Sequence, residues 1–427
     1  MSEVSESKTH SAQYRPRIAD AALSDRLQSV PTVVIEGVRA CGKTATALEQ
    51  SASDVLFDID PNAVDIARVN PELLLDGAEP RLLDEWHLAP EVWNHVRRAS
   101  DAGRRPGRFI LTGSALPSDD ISRHTGAGRI SRILMRPMSL FESGLSSGAV
   151  SLGGLLDSEP VGAPPAPASL TDLVEATCRG GWPSTLDIDL RRAQQFVRDH
   201  LDETRRADVR LGPGRRRDPV RLRQLMQSLA RNTATDAALA TLASDAGGGQ
   251  PLDPATVRGY LDDLERVFIV EDQPAWSVHL RSRSRLHSAP KRHFVDPSLA
   301  VAALRTGPTR LLAGLGFFGL LFESLVVRDL RVYASAHDGE VFHYRDNTGL
   351  EADAIIETGA GTWVGVEAKL GGADAVDAAA GSLLKLRDRV DTSVAGEPAK
   401  LVVITATGYA FERDDGVAVV PITTLGP

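Results

Sequence analysis

Gly37-Val38-Arg39-Ala40-Cys41-Gly42-Lys43-Thr44 fits the phosphate-binding loop pattern G-x-x-x-x-G-K-[ST] with no departure. Glycines let the backbone wrap tightly, so successive N–H groups can point at phosphate oxygens. In that pattern Lys43 reaches the β- and γ-phosphates of ATP, and the Thr44 hydroxyl sits on Mg²⁺. The flanks agree. Thr32-Val33-Val34-Ile35 is a β-branched run ahead of the loop, and Thr44 to Gln50 reads as a helix start whose N-terminal dipole faces the anion. The chain has six lysines against 42 arginines, so a basic residue placed by chance would nearly always be arginine. Lys43 stands out for that reason.

Two further pieces follow the loop. Arg81-Leu82-Leu83-Asp84-Glu85 is apolar and then doubly acidic, the Walker B pattern. Asp84 would hold the Mg²⁺ shell and Glu85 would polarise the attacking water. Phe109-Ile110-Leu111-Thr112-Gly113-Ser114 reads as a buried strand ending in small polar residues that could sense the γ-phosphate. Strands are expected at Val33–Ile35, Val55–Asp58, Arg81–Asp84, Arg108–Thr112 and Ile130–Met135, alternating with helical patterns. That alternation is the mark of an α/β domain around a parallel sheet.

A chain of 427 residues has room for two or three domains. Residues 1–15 read as a disordered tail, 16–142 as the phosphate-loop domain, and 143–168, rich in Ser, Gly and Pro, as a flexible linker. Residues 169–310 are mostly helical. There a good amphipathic helix, Pro254 to Leu264, leads into the apolar run Val267-Phe268-Ile269-Val270, an order shared with winged-helix units. Residues 311–427 return to α/β, with a helix around Phe322–Leu330, strands at Val341–Tyr344, Ala352–Ile356, Trp363–Ala368 and Lys400–Thr405, and a helix over Ala373–Leu386. No apolar run is long enough to span a bilayer and the N-terminus lacks a signal-peptide core, so a cytoplasmic protein with no membrane partner is expected. Cys41 and Cys178 are the only cysteines and provide no metal framework.

The pieces together resemble the AAA-type ATPases. The closer resemblance is to a prokaryotic family that pairs an N-terminal AAA-type ATPase with a C-terminal domain of unknown function. It is carried by Gly37-Val38-Arg39 and Cys41 to Thr44, Leu83-Asp84-Glu85, Leu111 to Ser114, Gly128-Arg129 and Arg179-Gly180-Gly181-Trp182-Pro183. The resemblance covers about Arg17 to the C-terminus. It implies ATP and Mg²⁺ as cofactors, with Gly37, Arg39, Gly42, Lys43, Thr44, Asp84, Thr112 and Ser114 around the nucleotide. Arg129 would stand where an arginine finger or sensor acts, in cis or from a neighbour. His87 takes a position where that family more often has Gln. Members of the broad class often act as rings, so a homo-oligomer is one expectation.

Near the C-terminus, Val364-Gly365-Val366-Glu367-Ala368-Lys369 alternates as a strand, which puts Glu367 and Lys369 on one face. With Asp353 on the preceding strand and Glu323 on the opening helix, the set resembles the PD-(D/E)XK nucleases, although Ala352 replaces the proline before the aspartate. Asp353 and Glu367 would hold Mg²⁺ and Lys369 would position or deprotonate water. The alternative is a non-catalytic interaction module on an ATP-dependent switch. Two basic stretches could meet the phosphates of DNA or RNA: Arg205, Arg206, Arg210, Arg215, Arg216, Arg217, Arg221 and Arg223, then Arg281, Arg283, Arg285, Lys291 and Arg292 with Trp276 nearby. The net charge of −9 argues against wholesale coating by nucleic acid.

Overall fold

β-Branched residues dominate the first strand, β1 (Thr32–Glu36), and Thr32 to Ile35 are all buried, as in a strand covered on both faces. In the computed structural model, which describes residues 14–103, 105–115, 126–206, 218–247, 250–277 and 289–427, β1 lies inside a five-stranded parallel sheet. The order is β5-β1-β4-β3-β2, with β2 (Ser53–Leu56), β3 (Arg81–Asp84), β4 (Phe109–Gly113) and β5 (Ile130–Leu134). All five expected strands are present. Helices α1 (Ile18–Ser29), α2 (Lys43–Gln50), α3 (Pro61–Val69) and α4 (Val92–Gly103) complete the unit. Side chains alternate across the sheet. Val34, Leu83 and Leu111 face one core with Trp86 and Trp93, while Val33, Ile35, Leu82 and Ile110 face another.

The middle region is helical: α5 (Leu152–Leu156), α6 (Leu170–Arg179), α7 (Leu190–Arg206), α8 (Pro219–Arg231), α9 (Leu239–Gly247) and α10 (Pro254–Arg266). Asp218 and Asp253 cap α8 and α10, each followed by proline in the first turn, where its missing N–H costs nothing. An antiparallel hairpin follows, β8 (Val270–Gln273) with β9 (Lys291–Phe294), pairing Gln273 with Lys291 and Asp272 with Arg292. Helices α8, α9 and α10 thus precede the hairpin. The strand starts later than Val267, because Phe268 takes a left-handed φ of 58° and turns the chain out of α10. Helices α11 (Pro297–Ala303) and α12 (Pro308–Ala313) lead on to α13 (Leu315–Ala334).

Helix α13 is buried throughout from Leu321 to Ala334. It packs against a seven-stranded mixed sheet, order β10-β11-β12-β13-β15-β14-β7. Those strands are β7 (Gly162–Ala163), β10 (Gly339–Arg345), β11 (Glu351–Thr358), β12 (Trp363–Lys369), β13 (Lys400–Thr405), β14 (Ala410–Glu412) and β15 (Val417–Pro421). β12, β13 and β15 run parallel, with α14 (Ala373–Arg389) crossing from β12 to β13, and the other pairs are antiparallel.

Residues 143–168 are not a linker. β6 (Val150–Ser151) pairs with β16 (Leu425–Gly426), β7 closes the edge of the C-terminal sheet, and Ser146 Oγ donates to Leu425 O at 2.6 Å. Buried Val150, Leu152 and Leu155 anchor this segment, so its Ser, Gly and Pro content serves close packing rather than freedom. One continuous apolar core runs from Leu23 and Ile35 through Leu225 and Leu264 to Leu330, Val366 and Leu425. The three regions are therefore one packed body. Arg328 on α13 sits buried between Asp296 (2.8 Å) and Asp329 (2.6 Å); Asp329 also accepts Leu140 N, and Asp296 accepts Gly181 N. Of the expected tail, residues 1–15, residues 1–13 lie outside the described residues, and Tyr14 and Arg15 are described.

Candidate nucleotide site and C-terminal charge cluster

The C-terminal ends of β1, β3 and β4 lie side by side, and the three predicted motifs sit at those ends, the edge where open α/β sheets bind ligands. The loop depends on its glycines. Gly37 has φ 152°, and a Cβ there would lie 2.0 Å from Met135 O; Gly42 has φ 107°. Lys43 opens α2 and is buried. Its Nζ donates to Gly37 O and Val38 O, both at 2.9 Å. These partners are neutral carbonyls, so a phosphate, which brings a full negative charge to the ammonium, can displace them.

Thr44 Oγ1 donates to Asp84 Oδ1 at 2.9 Å, and Thr112 Oγ1 donates to the same oxygen at 2.5 Å. Burial pushes the Asp84 carboxyl up, opposed by these two hydrogen bonds. Thr44 and Asp84 are hard oxygen donors side by side at the loop, the set that Mg²⁺ on a nucleotide requires. Glu85 has a left-handed φ of 52°, which turns its side chain away from the strand direction. Its backbone N donates to Thr112 Oγ1 at 2.9 Å, and its Oε2 accepts Ser114 N (3.2 Å) and Ser114 Oγ (3.0 Å). Arg39 Nε reaches Ser114 Oγ at 3.4 Å. Burial raises the Glu85 carboxyl, but His87, with Nδ1 3.1 Å from Oε2, and the charge of Lys43 outweigh it and hold the group down at about 2. His87 thus helps to lower the Glu85 carboxyl, together with Lys43 and Ser114. Arg17, which the motifs did not flag, braces the loop from α1: it donates to Cys41 O and to Arg136 O, both at 2.7 Å, and pairs with Glu142.

In the C-terminal region, the four predicted residues converge. Ala368 N donates to Asp353 Oδ2 at 2.9 Å, while Lys369 Nζ lies 2.6 Å from Glu367 Oε2 and 3.4 Å from Asp353 Oδ2. A fifth residue joins them. Lys291 on β9 lies 2.6 Å from Glu323 Oε1 and 3.5 Å from Asp353 Oδ1. The expected nucleic-acid contact is instead a buried partner of two carboxylates. Burial and the neighbouring Asp353 push Glu323 up to about 8 and Glu367 up to about 7, against the opposing pull of Lys291 and Lys369. Among the described residues no group of three or more His, Cys, Asp or Glu side chains is placed to hold a metal ion. Asp353 and Glu367, the expected Mg²⁺ ligands, are bonded to Lys369, and Asp353 also faces Lys291.

Residues 29–143 match the AAA domain family. The N-terminal region is an AAA-type ATP-binding domain. Residues 170–310 and 318–425 match two domains of unknown function, DUF8612 and DUF4143. No curated protein matches the chain. Among solved structures, a Walker-type ATPase of Pyrococcus abyssi is similar at 12% identity and a TM-score of 0.42, over 68% of this chain and 96% of that one.

Within the AAA domain, Arg129 stands apart from the nucleotide motifs. It precedes β5 at the end of the sheet opposite the phosphate loop, where Thr32 N donates to its carbonyl, about 13 Å along the strand from Glu36. Its side chain pairs with Asp101 at 2.5 Å. A role on its own domain's γ-phosphate is out of reach. The Arg179-to-Pro183 segment is a joint: Gly181 N bonds Asp296, and a Cβ on Gly181 would lie 2.0 Å from Met138 O. Among the described arginines of the basic stretches, Arg205, Arg206, Arg221 and Arg292 pair with Asp202, Glu203, Asp218 and Asp272. Trp276 is buried against Trp363, ring centroids 4.9 Å apart. Arg210, Arg215, Arg216, Arg217, Arg281, Arg283 and Arg285 lie outside the described residues. No described helix is long and apolar enough to cross a membrane.

Proposed function

We propose that the protein hydrolyses ATP in its AAA domain and uses the nucleotide state to govern a nuclease-like C-terminal domain that acts on nucleic acid. The observation that carries the second half is the convergence of Glu323, Asp353, Glu367 and Lys369 from one helix and two strands. In the AAA domain, Lys43 exchanges its two carbonyl partners for phosphate oxygens. Thr44 and Asp84 would hold Mg²⁺, which would offset charge on the phosphates. Glu85, ionised at neutral pH and fixed by Ser114, orients the attacking water and takes its proton. Arg39, bound to Ser114, faces the same edge. At the C-terminal cluster, the residues as packed do not fit a divalent ion, because Lys291 and Lys369 already bond the carboxylates; Lys369 is the group that would position a phosphate oxygen or water.

One observation favours a second reading, an ATP-dependent switch with a non-catalytic interaction module: Lys291 neutralises the cluster from within. The test separates them. Purified protein, Lys43→Ala and Lys369→Ala are assayed for phosphate release from ATP, and for cleavage of single- and double-stranded DNA and RNA with Mg²⁺ or Mn²⁺, with and without ATP. ATP hydrolysis lost in Lys43→Ala, with cleavage lost in Lys369→Ala, supports the first reading. Hydrolysis with no cleavage under any condition supports the second.

A further inference from the structure

Lys291 belongs to the middle region, yet its ammonium is buried in the C-terminal cluster. It comes from β9, and its hairpin neighbour on β8 is Gln273, whose Nε2 donates to Asp353 O and Phe342 O, both at 2.9 Å. His293, two residues on from Lys291, is buried and bonds Ser324 and Gln273 Oε1, each at 2.9 Å. The hairpin is therefore docked on the cluster by polar contacts as well as by the ion pair.

The same hairpin is held from the other side by the AAA domain. Glu271 on β8 takes Arg136 Nε on both oxygens, at 2.9 and 3.1 Å, and Arg331 of α13 at 2.8 Å. Arg331 also donates to Asp272 O at 2.8 Å. Arg136 follows β5, and its carbonyl accepts Arg17, whose other nitrogen donates to Cys41 O inside the phosphate loop. A hydrogen-bonded path thus runs from the phosphate loop through Arg17, Arg136 and Glu271 to the hairpin that carries Lys291. The cluster holds three carboxylates and two ammonium groups, so removing Lys291 leaves only Lys369 to offset Glu323, Asp353 and Glu367.

We propose that Lys291 is an internal cation that locks the C-terminal cluster, and that ATP binding at the phosphate loop releases it through Arg17, Arg136 and the β8–β9 hairpin. This rests on the ATP-driven reading above and names its regulation. A ligand shifts such an equilibrium only by its different affinity for the two states. Here the difference arises in the phosphate loop, whose N–H groups take the phosphates and whose Cys41 carbonyl is held by Arg17.

Six lysines make the test clean. The full-length protein is pulse-labelled with an amine-acylating reagent, with and without a non-hydrolysable ATP analogue and Mg²⁺, and labelling is read by peptide mass spectrometry. Exposed Lys385 is the internal reference, and analogue binding is measured in parallel by calorimetry. In the nucleotide-free protein Lys291 is protected; with analogue bound its labelling relative to Lys385 rises by roughly tenfold or more. Arg136→Ala, folded by circular dichroism, raises Lys291 labelling without nucleotide. Analogue binding with Lys291 still protected overturns the lock while leaving the ATP reading intact. Absence of analogue binding overturns that reading, and the lock with it.

Discussion

Lys43 and Lys369 are both motif lysines, both placed by a short strand-linked pattern, and their surroundings are opposite. Lys43 is held by two backbone carbonyls, while Lys369 is held by two carboxylates with a second lysine behind them. The first site has a cation ready to receive phosphate. The second has its charge largely answered from within. What a motif can do at a given moment is set by what its residues are already bonded to, which the motif does not contain.

The largest contrast is in nucleotide affinity. Lys43→Ala removes a charge-assisted phosphate contact and is expected to weaken ATP binding by about a hundredfold. Lys369→Ala should leave it unchanged in a calorimetric titration. Equal losses in both variants would erase the distinction. In hydrolysis, Glu85→Gln should slow phosphate release by roughly 10²–10⁴-fold while ATP still binds, since only the proton acceptor is lost. Wild-type turnover in that variant would reassign the carboxylate.

The two sites also differ in the sign of their pH dependence. Glu85 sits at about 2 in the folded protein, below the usual carboxylate range, so its contribution is present above about pH 4.5 and fades as pH falls towards 2. Glu323 and Glu367 are raised to about 8 and about 7, so their contribution is full below about pH 4.5 and is lost as pH climbs through 7 to 8. Thermal unfolding midpoints should fall less between pH 5 and 8 in Glu367→Gln than in wild type. An identical slope would contradict the assignment. Smallest of all is Arg129→Ala. It breaks a partly exposed pair with Asp101, so a stability cost under about 1 kcal/mol and unaltered turnover are expected. A large fall in turnover that grows with protein concentration would instead give Arg129 a role on a neighbouring copy.

The five parallel strands were legible because short apolar runs mark them, and at β1, β3 and β4 a motif follows the run. The convergence of Glu323, Asp353, Glu367 and Lys369 was legible because period two fixes the face of β12 and a hairpin fixes its partner. Lys291 was not. Its rarity among arginines carried the same signal as Lys43 and Lys369, but its immediate neighbours are basic, so local charge pointed outward while the hairpin register turned it inward. Arg17 and His87 were hidden for a similar reason: a loop carbonyl and a nearby carboxylate give them their roles, and neither lies in a motif. The segment at 143–168 misled because Ser, Gly and Pro describe edge pairing as well as freedom, and its partners lie more than 200 residues further along the chain.

The central claim, that the C-terminal carboxylates are neutralised by lysines while the phosphate loop awaits its ligand, has one direct test. Nucleotide-free wild type and Asp353→Asn are titrated with Mn²⁺ and the bound ion is counted by electron paramagnetic resonance. The account predicts the same number of ions bound in both proteins. One more Mn²⁺ in wild type than in Asp353→Asn would contradict it.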